Sequence, residues 1–177
     1  LVWRQHLDAA CIQLGAKVCN RLKPSMRPSS YASTRQILEL YAQSTFCVQP
    51  PGDMLARPGI LDALSVGCIP VFLVADQQRL WPHFWEGSTA SLLLPHYDAA
   101  WRRREAAMRI SGSHEPYPNA TEALLWLLSV PPANITRLRR NVRRAAAAMR
   151  YASRFPGDGD PDAFETLLCL IERVIGR

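Results

Sequence analysis

The most informative absences in this sequence are of long apolar runs, of closely paired cysteines and of glycine-rich nucleotide fingerprints. No stretch is apolar over the roughly 20 residues that a membrane-spanning helix needs. None of the five cysteines forms a Cys-x-x-Cys pair and the four histidines show no ligand spacing, which argues against a structural zinc site. The Gly-x-Gly-x-x-Gly, Walker and Gly-x-Ser-x-Gly motifs are also missing, so dinucleotide-binding, P-loop and serine-hydrolase proteins are not indicated.

Lysine is scarce as well: 19 of the 21 basic residues are arginines, and the formal net charge is +6. Six arginines between positions 137 and 150 lie on one predicted helix, a pattern also found in nucleic-acid-binding proteins. However, the apolar residues give that helix a buried stripe, and no aromatic residues interleave with the arginines to stack bases. We interpret the arginines as a solvated basic face and expect no nucleic-acid partner; acidic polysaccharides or membrane headgroups are alternative ligands of this face.

The strongest positive signal is the segment 46–72. Residues 46–48 are a short apolar run, and Pro-Pro-Gly at 50–52 stops it abruptly. Residues 57–66 have helical spacing, Gly67 ends the helix, and residues 68–74 are typical of a buried parallel strand. Strand, loop, helix and strand in this order predict one α/β unit. The loop at the carboxyl end of the first strand is where such folds bind phosphate-bearing ligands.

This segment resembles the signature of the exostosin-like glycosyltransferases, in particular of the plant branch that includes the xyloglucan galactosyltransferases. In that branch a Cys-Leu-Gln-Pro-Pro-Gly-Asp stretch precedes an arginine-bearing loop, a helical Asp and Gly-Cys-Ile-Pro-Val-Phe. The matching positions, at the same spacings, are Cys47, Gln49, Pro50, Pro51, Gly52, Asp53, Arg57, Asp62 and residues 67–72. A weaker match extends from residues 41–45 to residues 162–164.

The resemblance implies a Rossmann-like parallel sheet flanked by helices, the C-terminal half of a two-domain GT-B glycosyltransferase. It implies inverting transfer of a sugar from a nucleotide sugar, UDP-linked, to a polysaccharide or glycan acceptor. It implies no metal or other cofactor, because a helix dipole and basic side chains carry the diphosphate charge, and a catalytic base in an N-terminal domain. It further implies the Golgi lumen as the location, in a type II membrane protein whose anchor is absent from this chain, and leaves a homo- or hetero-oligomer open.

The length of the chain is that expected for one of the two domains of such an enzyme. A chain of 177 residues suits one domain, whereas a two-domain transferase needs roughly twice that number. We therefore expect residues 1–177 to form a single nucleotide-sugar-binding domain, and the N-terminal acceptor domain to lie outside this chain, which begins with Leu1 rather than Met.

Three residues of the signature are the main candidates for donor binding. Arg57 is our candidate for the donor diphosphate, since a guanidinium fork binds phosphate oxygens bidentately. Gly52 lets the backbone approach a ligand closely, and the loop leads into a helix N-terminus that favours anions. Asp62 matches the acid that the family uses to accept hydrogen bonds from the ribose hydroxyls. A surface arginine and a structural helix acid are the alternative interpretations of Arg57 and Asp62.

Three further residues are weaker candidates for donor binding. Asp53 either binds donor hydroxyls or holds the turn through nearby backbone N–H groups. Gln49 and Ser44 are additional candidate contacts. The pattern also departs from the family: Pro58 stands where plant members often carry a second basic residue, and Gly59 where heparan-type relatives place an arginine. Donor phosphate binding would then rest on fewer charges.

The cysteines and two sequons bear on the cellular compartment. Cys47 and Cys68 sit in apolar strand runs, so we expect simple burial of both thiols. For Cys11 and Cys19 we favour free thiols, with a bridge between them in an oxidising lumen as the alternative. Asn119-Ala120-Thr121 and Asn134-Ile135-Thr136 fit the N-glycosylation pattern, although Asn119 with Glu122 also resembles a helix N-cap.

The rest of the chain predicts helices around this unit. Helices are predicted at 2–14, at 34–43, at 98–110, from 119 or 121 to 128, and at 132–152, and a last helix is predicted after Asp160-Pro161. Short strands are predicted at 17–19 and 91–94. The segment 21–33 is predicted to be a loop and the segment 75–89 to be irregular. The two Asp-x-Asp patterns at 158–162 resemble the manganese ligands of another transferase class, but turn residues before a helix explain them better.

Three classes of function follow from these observations. A glycosyltransferase donor domain is our main hypothesis. A nucleotide- or sugar-binding module without catalytic activity is the alternative, and a basic polyanion-binding domain is the third.

Overall fold

A computed structural model describes residues 2–21, 34–110, 118–150 and 163–175 and shows an α/β fold. The described elements are, in chain order, α1 (Val2–Leu14), α2 (Thr34–Ala42), β1 (Phe46–Gln49), α3 (Pro58–Val66), β2 (Ile69–Phe72), a 3₁₀ helix (Ala75–Arg79), α4 (Gly87–Ala90), β3 (Leu92–Leu93), α5 (Tyr97–Ile110), α6 (Ala120–Leu128), α7 (Pro132–Ala148) and α8 (Ala163–Ile175).

The three described strands form one parallel sheet in the order β1-β2-β3. Val48 pairs with Val71 across the first two strands, and Val71 in turn pairs with Leu92 of β3. All four residues of β2 are buried, as expected for a central parallel strand covered on both faces. The predicted Rossmann-like parallel sheet with flanking helices is therefore confirmed at the level of a three-stranded α/β unit.

Helices cover both faces of this sheet. On one face, Val71 and Leu73 pack in a core cluster with α1, α5 and α6, whose buried residues include Trp3, Tyr97 and Leu124. On the other face, a second cluster joins the sheet to α3 and α7; its buried members include Ile60, Phe72, Leu138 and Val142. This three-layer arrangement fixes α3, and therefore the loop before it, against the carboxyl end of β1.

Most predicted elements lie where the apolar periodicity placed them. α1, α2, α3, α5 and α6 agree with the predictions to within about two residues, and the basic helix α7 ends at Ala148, earlier than predicted. The irregular stretch contains the 3₁₀ helix and α4. The predicted strand at 17–19 is wrong, because this segment is a turn in which the Cys19 N–H donates to the Gly15 carbonyl at 2.9 Å. Most of the predicted loop at 21–33 and the predicted Asp160-Pro161 cap lie outside the described residues.

The expectation of buried free thiols in the first two strands is wrong. Cys47 and Cys68 form a disulfide that ties β1 to the residue before β2, and the pair packs in a small core cluster with Ala63. Cys11 and Cys19 form a second disulfide, at the end of α1. The error has a physical cause: two parallel strands one helix apart in sequence pair side by side, so their cysteines become neighbours that sequence separation does not reveal.

Two further predictions can be compared with the geometry. The Asn119 carboxamide oxygen accepts hydrogen bonds from the N–H groups of Thr121 and Glu122, so this residue is the N-cap of α6. Among the described helices, none is both long enough and apolar enough to cross a lipid bilayer.

Candidate functional site

The carboxyl ends of the three parallel strands meet at one edge of the sheet. The loop 50–57 follows β1, residues 73–74 follow β2, and residues 94–96 follow β3. Ligands of parallel α/β folds bind at this edge, because the strand-to-helix loops present backbone N–H groups there. The chemistry of the three loops therefore decides where an anionic ligand would bind.

At the ends of β2 and β3 the charged side chains neutralise one another. Asp98 accepts hydrogen bonds from the Ala75 N–H at 2.7 Å and from Arg102 Nε at 3.0 Å. Arg79 Nη1 lies 3.2 Å from Asp76, whose carboxylate is also 3.7 Å from Arg102. Burial alone would raise the pKa of Asp98, but the hydrogen bonds from Ala75 and Arg102 and the charges of Arg102 and Arg79 hold it below its ordinary value. This cluster is an internal network of paired charges.

A buried pair of glutamines supports the start of the loop after β1. Gln77 is fully buried; its amide nitrogen donates to the Gln49 carbonyl at 3.0 Å and its oxygen accepts from the Leu73 N–H at 3.3 Å. Gln49 is also buried, and its amide nitrogen donates to Tyr41 Oη at 3.2 Å and to the Gly59 carbonyl at 3.1 Å. Each glutamine thus joins two elements. Together the two side chains fix the position of the carboxyl end of β1 relative to the first turn of α3.

The loop itself is a tight connection into α3. Its Gly52 N–H donates to the Met54 carbonyl at 3.3 Å. Arg57 is the N-cap residue of α3, in an extended conformation, and no side chain caps the helix N-terminus. Pro58 occupies the first helical position, where the missing N–H costs little. The positive end of the α3 dipole therefore faces this loop, and the first turn of the helix carries no acidic residue.

Two arginine side chains converge on Gly52. A Cβ atom on this glycine would lie 2.9 Å from Arg4 Nη2 and still closer to Arg57 Nη1, so the two nitrogens are within about 6 Å of each other. Among the described residues, neither guanidinium has a carboxylate within ion-pair distance. Like charges at this spacing repel by on the order of 3 kcal/mol at an effective dielectric constant of about 20, before screening by solvent. This is a cationic site that an anion would stabilise.

Arg57 was predicted from the signature, whereas Arg4 was not. Arg4 lies on α1, far from the signature in sequence, and Trp3 and Leu7 beside it are the residues that anchor α1 in the core. An arginine on an amphipathic helix carries no signal of its own, because such residues normally form a solvated face. Only the packing of α1 on the sheet brings this guanidinium to the loop.

Of the two predicted carboxylates, Asp53 lies in this loop and Asp62 lies in the helix that follows it. Asp62 is half-buried in the second turn of α3, and Asp53 is exposed directly after Gly52. Within the described part of the chain, neither carboxylate side chain makes a hydrogen bond or an ion pair. Both acids are therefore available to hydroxyl groups of a ligand, and no contact of Asp53 indicates a role in holding the turn.

The other two predicted residues occupy different positions. The Gln49 amide nitrogen is used inside the protein, as described above. Ser44 donates to the Leu40 carbonyl at 2.8 Å; it precedes the amino end of β1, the end opposite to Gln49. A cavity of about 700 Å³ runs beside β1 and is lined by both Ser44 and Arg4.

No metal centre is indicated in the described part of the chain, where no three His, Cys, Asp or Glu side chains are grouped to hold an ion. The two Asp-x-Asp patterns at 158–162 lie outside the described residues. The basic face of α7 is distinct from the cationic loop: Leu138 and Val142 are buried, the arginines around them are exposed, and Arg139 Nη2 lies 3.4 Å from Thr45 Oγ1.

Parallel α/β folds commonly bind phosphate-bearing ligands at the loop after a strand, and here two arginines converge on such a loop. Comparison with known proteins is more specific, because residues 3–117, more than half of the chain, match the Exostosin GT47 domain. The chain belongs to the exostosin GT47 family, which confirms the resemblance seen in the signature.

Similar proteins come from the plant branch of this family. The chain is 28% identical to probable xyloglucan galactosyltransferase GT15 of Arabidopsis thaliana, over 91% of this chain and 32% of that protein. It is 44% identical to probable xyloglucan galactosyltransferase GT13 of the same plant, over 78% of this chain and 27% of that protein. Identity to xyloglucan galactosyltransferase MUR3 of this plant is 27%, over 78% of this chain and 20% of that protein. The chain thus spans about a third or less of the length of these relatives.

Proposed function

We propose that this chain is the donor-binding domain of a GT-B glycosyltransferase, which transfers a sugar from a UDP-sugar to a polysaccharide or glycan acceptor. The observation that carries this proposal is the cationic loop at the end of β1, where Arg57 meets Gly52 beside the uncapped N-terminus of α3. The similar proteins named as xyloglucan galactosyltransferases support a galactosyl donor and a xyloglucan-like acceptor.

The residues of the loop suit the leaving group of such a reaction. Arg57 would bind the diphosphate and Asp62 would accept hydrogen bonds from the ribose hydroxyls. In the transfer step the acceptor oxygen forms a bond to the anomeric carbon as the bond from that carbon to the diphosphate oxygen breaks. The bonding electrons leave with the diphosphate, whose growing negative charge the guanidinium stabilises most in the transition state.

The proposal extends to the stereochemistry and the proton transfer of the reaction. We propose that the acceptor attacks the face opposite the diphosphate, which inverts the anomeric centre. The acceptor proton passes to a base that we assign to an N-terminal domain outside this chain. With the diphosphate charge met by Arg57 and the α3 dipole, we propose that the reaction proceeds without a divalent metal.

The disulfides support an oxidising compartment. The chain contains the disulfides Cys11–Cys19 and Cys47–Cys68, and disulfides are common in secretory-pathway proteins but rare in the cytosol. We therefore propose the Golgi lumen as the location, in a type II membrane protein whose anchor lies outside this chain.

Calorimetric titration with UDP tests the donor site. We expect the 177-residue protein to bind UDP, and Arg57→Ala and Asp62→Ala each to weaken binding by about tenfold or more, since a hydrogen bond to a charged group contributes about 1.5–3 kcal/mol. Arg140→Ala and Glu172→Ala, which change exposed charges on α7 and α8, are matched controls and should bind like the wild type. If the folded protein shows no UDP binding, or if the controls weaken it as much as the site variants, the proposal is wrong.

A further inference from the structure

Arg4 is held at the candidate donor site by the packing of its own helix. Its neighbours Trp3 and Leu7 are buried in the core cluster that joins α1 to α5, α6 and β2. The side chain is half-buried, and its Nη2 atom lies 2.9 Å from the position that a Cβ on Gly52 would occupy. The guanidinium therefore reaches the loop from an element far from the signature in sequence.

The carboxylate that would normally neutralise Arg4 is paired elsewhere. Asp8 follows one helical turn later, at the spacing that favours an ion pair within a helix. Its two oxygens instead accept hydrogen bonds from Arg21 Nη1, at 3.0 and 3.2 Å. Among the described residues, Arg4 has no carboxylate partner, and it faces Arg57 across a glycine that adds no bulk between them.

Two guanidinium groups whose nearest nitrogens are within about 6 Å of each other match a ligand with two adjacent anionic groups better than a ligand with one. A single phosphate can satisfy one guanidinium fork fully, whereas a diphosphate can accept from both forks and offset their mutual repulsion. Gly52 leaves room for both groups, because a Cβ at this position would displace the two guanidinium nitrogens.

We propose that Arg4 is a second diphosphate-binding residue, which acts with Arg57 and makes the site selective for a nucleoside diphosphate over a nucleoside monophosphate. This inference rests on the proposed donor-binding function, and it adds a residue outside the signature to the site. It also predicts that α1 contributes directly to donor recognition.

The test compares two nucleotides on matched variants. Titrations of the wild type, Arg4→Ala, Arg57→Ala and the double variant would be made with UDP and with UMP, and Arg140→Ala serves as the control. We expect Arg4→Ala to weaken UDP binding by about tenfold and UMP binding by less than about threefold, so that the preference for the diphosphate shrinks. Inorganic pyrophosphate should compete with UDP in the wild type and compete less well in Arg4→Ala.

Two controls keep the outcomes separable. Arg4→Lys retains a charge but not the fork, so it should recover only part of the UDP affinity; thermal unfolding monitored by circular dichroism checks that each variant folds. UDP binding that weakens in Arg57→Ala but not in Arg4→Ala would overturn the role of Arg4 and leave the donor site intact. Equal losses of UDP and UMP affinity in Arg4→Ala would also overturn it, by showing no selectivity. Absence of UDP binding in the folded wild type would overturn the proposed function itself.

Discussion

At the scale of single residues, the signature pointed to one of the two arginines that converge on Gly52. Arg57, Gly52 and Asp62 were selected because they match the signature at its spacing within one short segment, and their roles in donor binding are still predictions. Arg4 could not be found in this way, because its position depends on how α1 packs on the sheet. Gln49 was predicted as a ligand contact, and that role is still a prediction; in the structure its amide nitrogen bonds to Tyr41 and Gly59.

Replacing Gly52 with alanine should affect binding more than stability. The new methyl group would overlap the ends of the Arg57 and Arg4 side chains, which are flexible and can move aside. We expect UDP affinity to fall by about three- to tenfold and the free energy of unfolding to change by less than about 0.5 kcal/mol. Titration and urea unfolding measure the two quantities. Met54→Ala, in the same loop and exposed, is the control; a large loss of stability in Gly52→Ala would contradict this view of the loop.

Asp98 should contribute stability that depends on pH. Its pKa lies below the ordinary value of 3.8, so the folded state favours the charged carboxylate. The contribution is therefore present above about pH 4 and is lost as the pH falls through the lower folded-state pKa. Asp98→Asn keeps the oxygen that accepts from Ala75 but removes the charge. We expect it to be less stable than the wild type at pH 7, by about 1 kcal/mol or less, and the difference to shrink as the pH falls below about 4. Urea unfolding at pH 7 and at a series of lower pH values measures this; a gap independent of pH would contradict it.

At the scale of elements, helices with strong apolar periodicity were predicted well and short elements were not. The segment 17–19 was predicted as a strand from its apolar residues, but the disulfide between Cys11 and Cys19 and a hydrogen bond to Gly15 hold it as a turn. The 3₁₀ helix Ala75–Arg79 was missed because its polar residues show no helical periodicity. The buried side chain of Gln77 instead bonds this helix to Gln49 of β1 and to Leu73, the residue after β2.

Gln77→Leu should destabilise the sheet edge. The substitution keeps much of the volume but leaves the Gln49 carbonyl and the Leu73 N–H, both bonded by Gln77, without this partner. We expect a loss of about 2–4 kcal/mol in the free energy of unfolding, since each buried unpaired group costs about 1–3 kcal/mol. Thermal and urea unfolding measure the change. Gln5→Leu, on the exposed face of α1, is the matched control, and equal stability of the two variants would refute the assignment.

At the scale of the whole molecule, the sequence was sufficient for the family and the architecture, because segment 46–72 contains a complete strand-helix-strand unit. It was not sufficient for the disulfides. Cys47 and Cys68 were expected to be buried thiols, and burial is correct, but the lateral pairing of β1 and β2 brings the two sulfur atoms together. The tertiary arrangement, rather than any local pattern, determines both the disulfide and the position of Arg4.

The two disulfides should differ in their effect on stability. Their cysteines are 21 and 8 residues apart, and the chain-entropy model then assigns about 3.3 kcal/mol to Cys47–Cys68 and about 2.5 kcal/mol to Cys11–Cys19. Double alanine variants of each pair, compared by urea unfolding, should lose stability in that order. The exposed Cys169 forms no described disulfide, so Cys169→Ala is the control and should unfold like the wild type. A larger loss for the shorter loop would contradict the entropic argument.

The position of Arg4 on α1 has a consequence for dynamics. The two disulfides lie within separate parts of the chain, and neither bridges α1 to the sheet. A diphosphate held jointly by Arg4 and Arg57 would join α1 to the loop after β1 non-covalently, and its binding energy would oppose local opening of α1. Amide hydrogen exchange along α1, a helix outside the signature, should therefore slow when UDP is added, and this protection should disappear in Arg4→Ala.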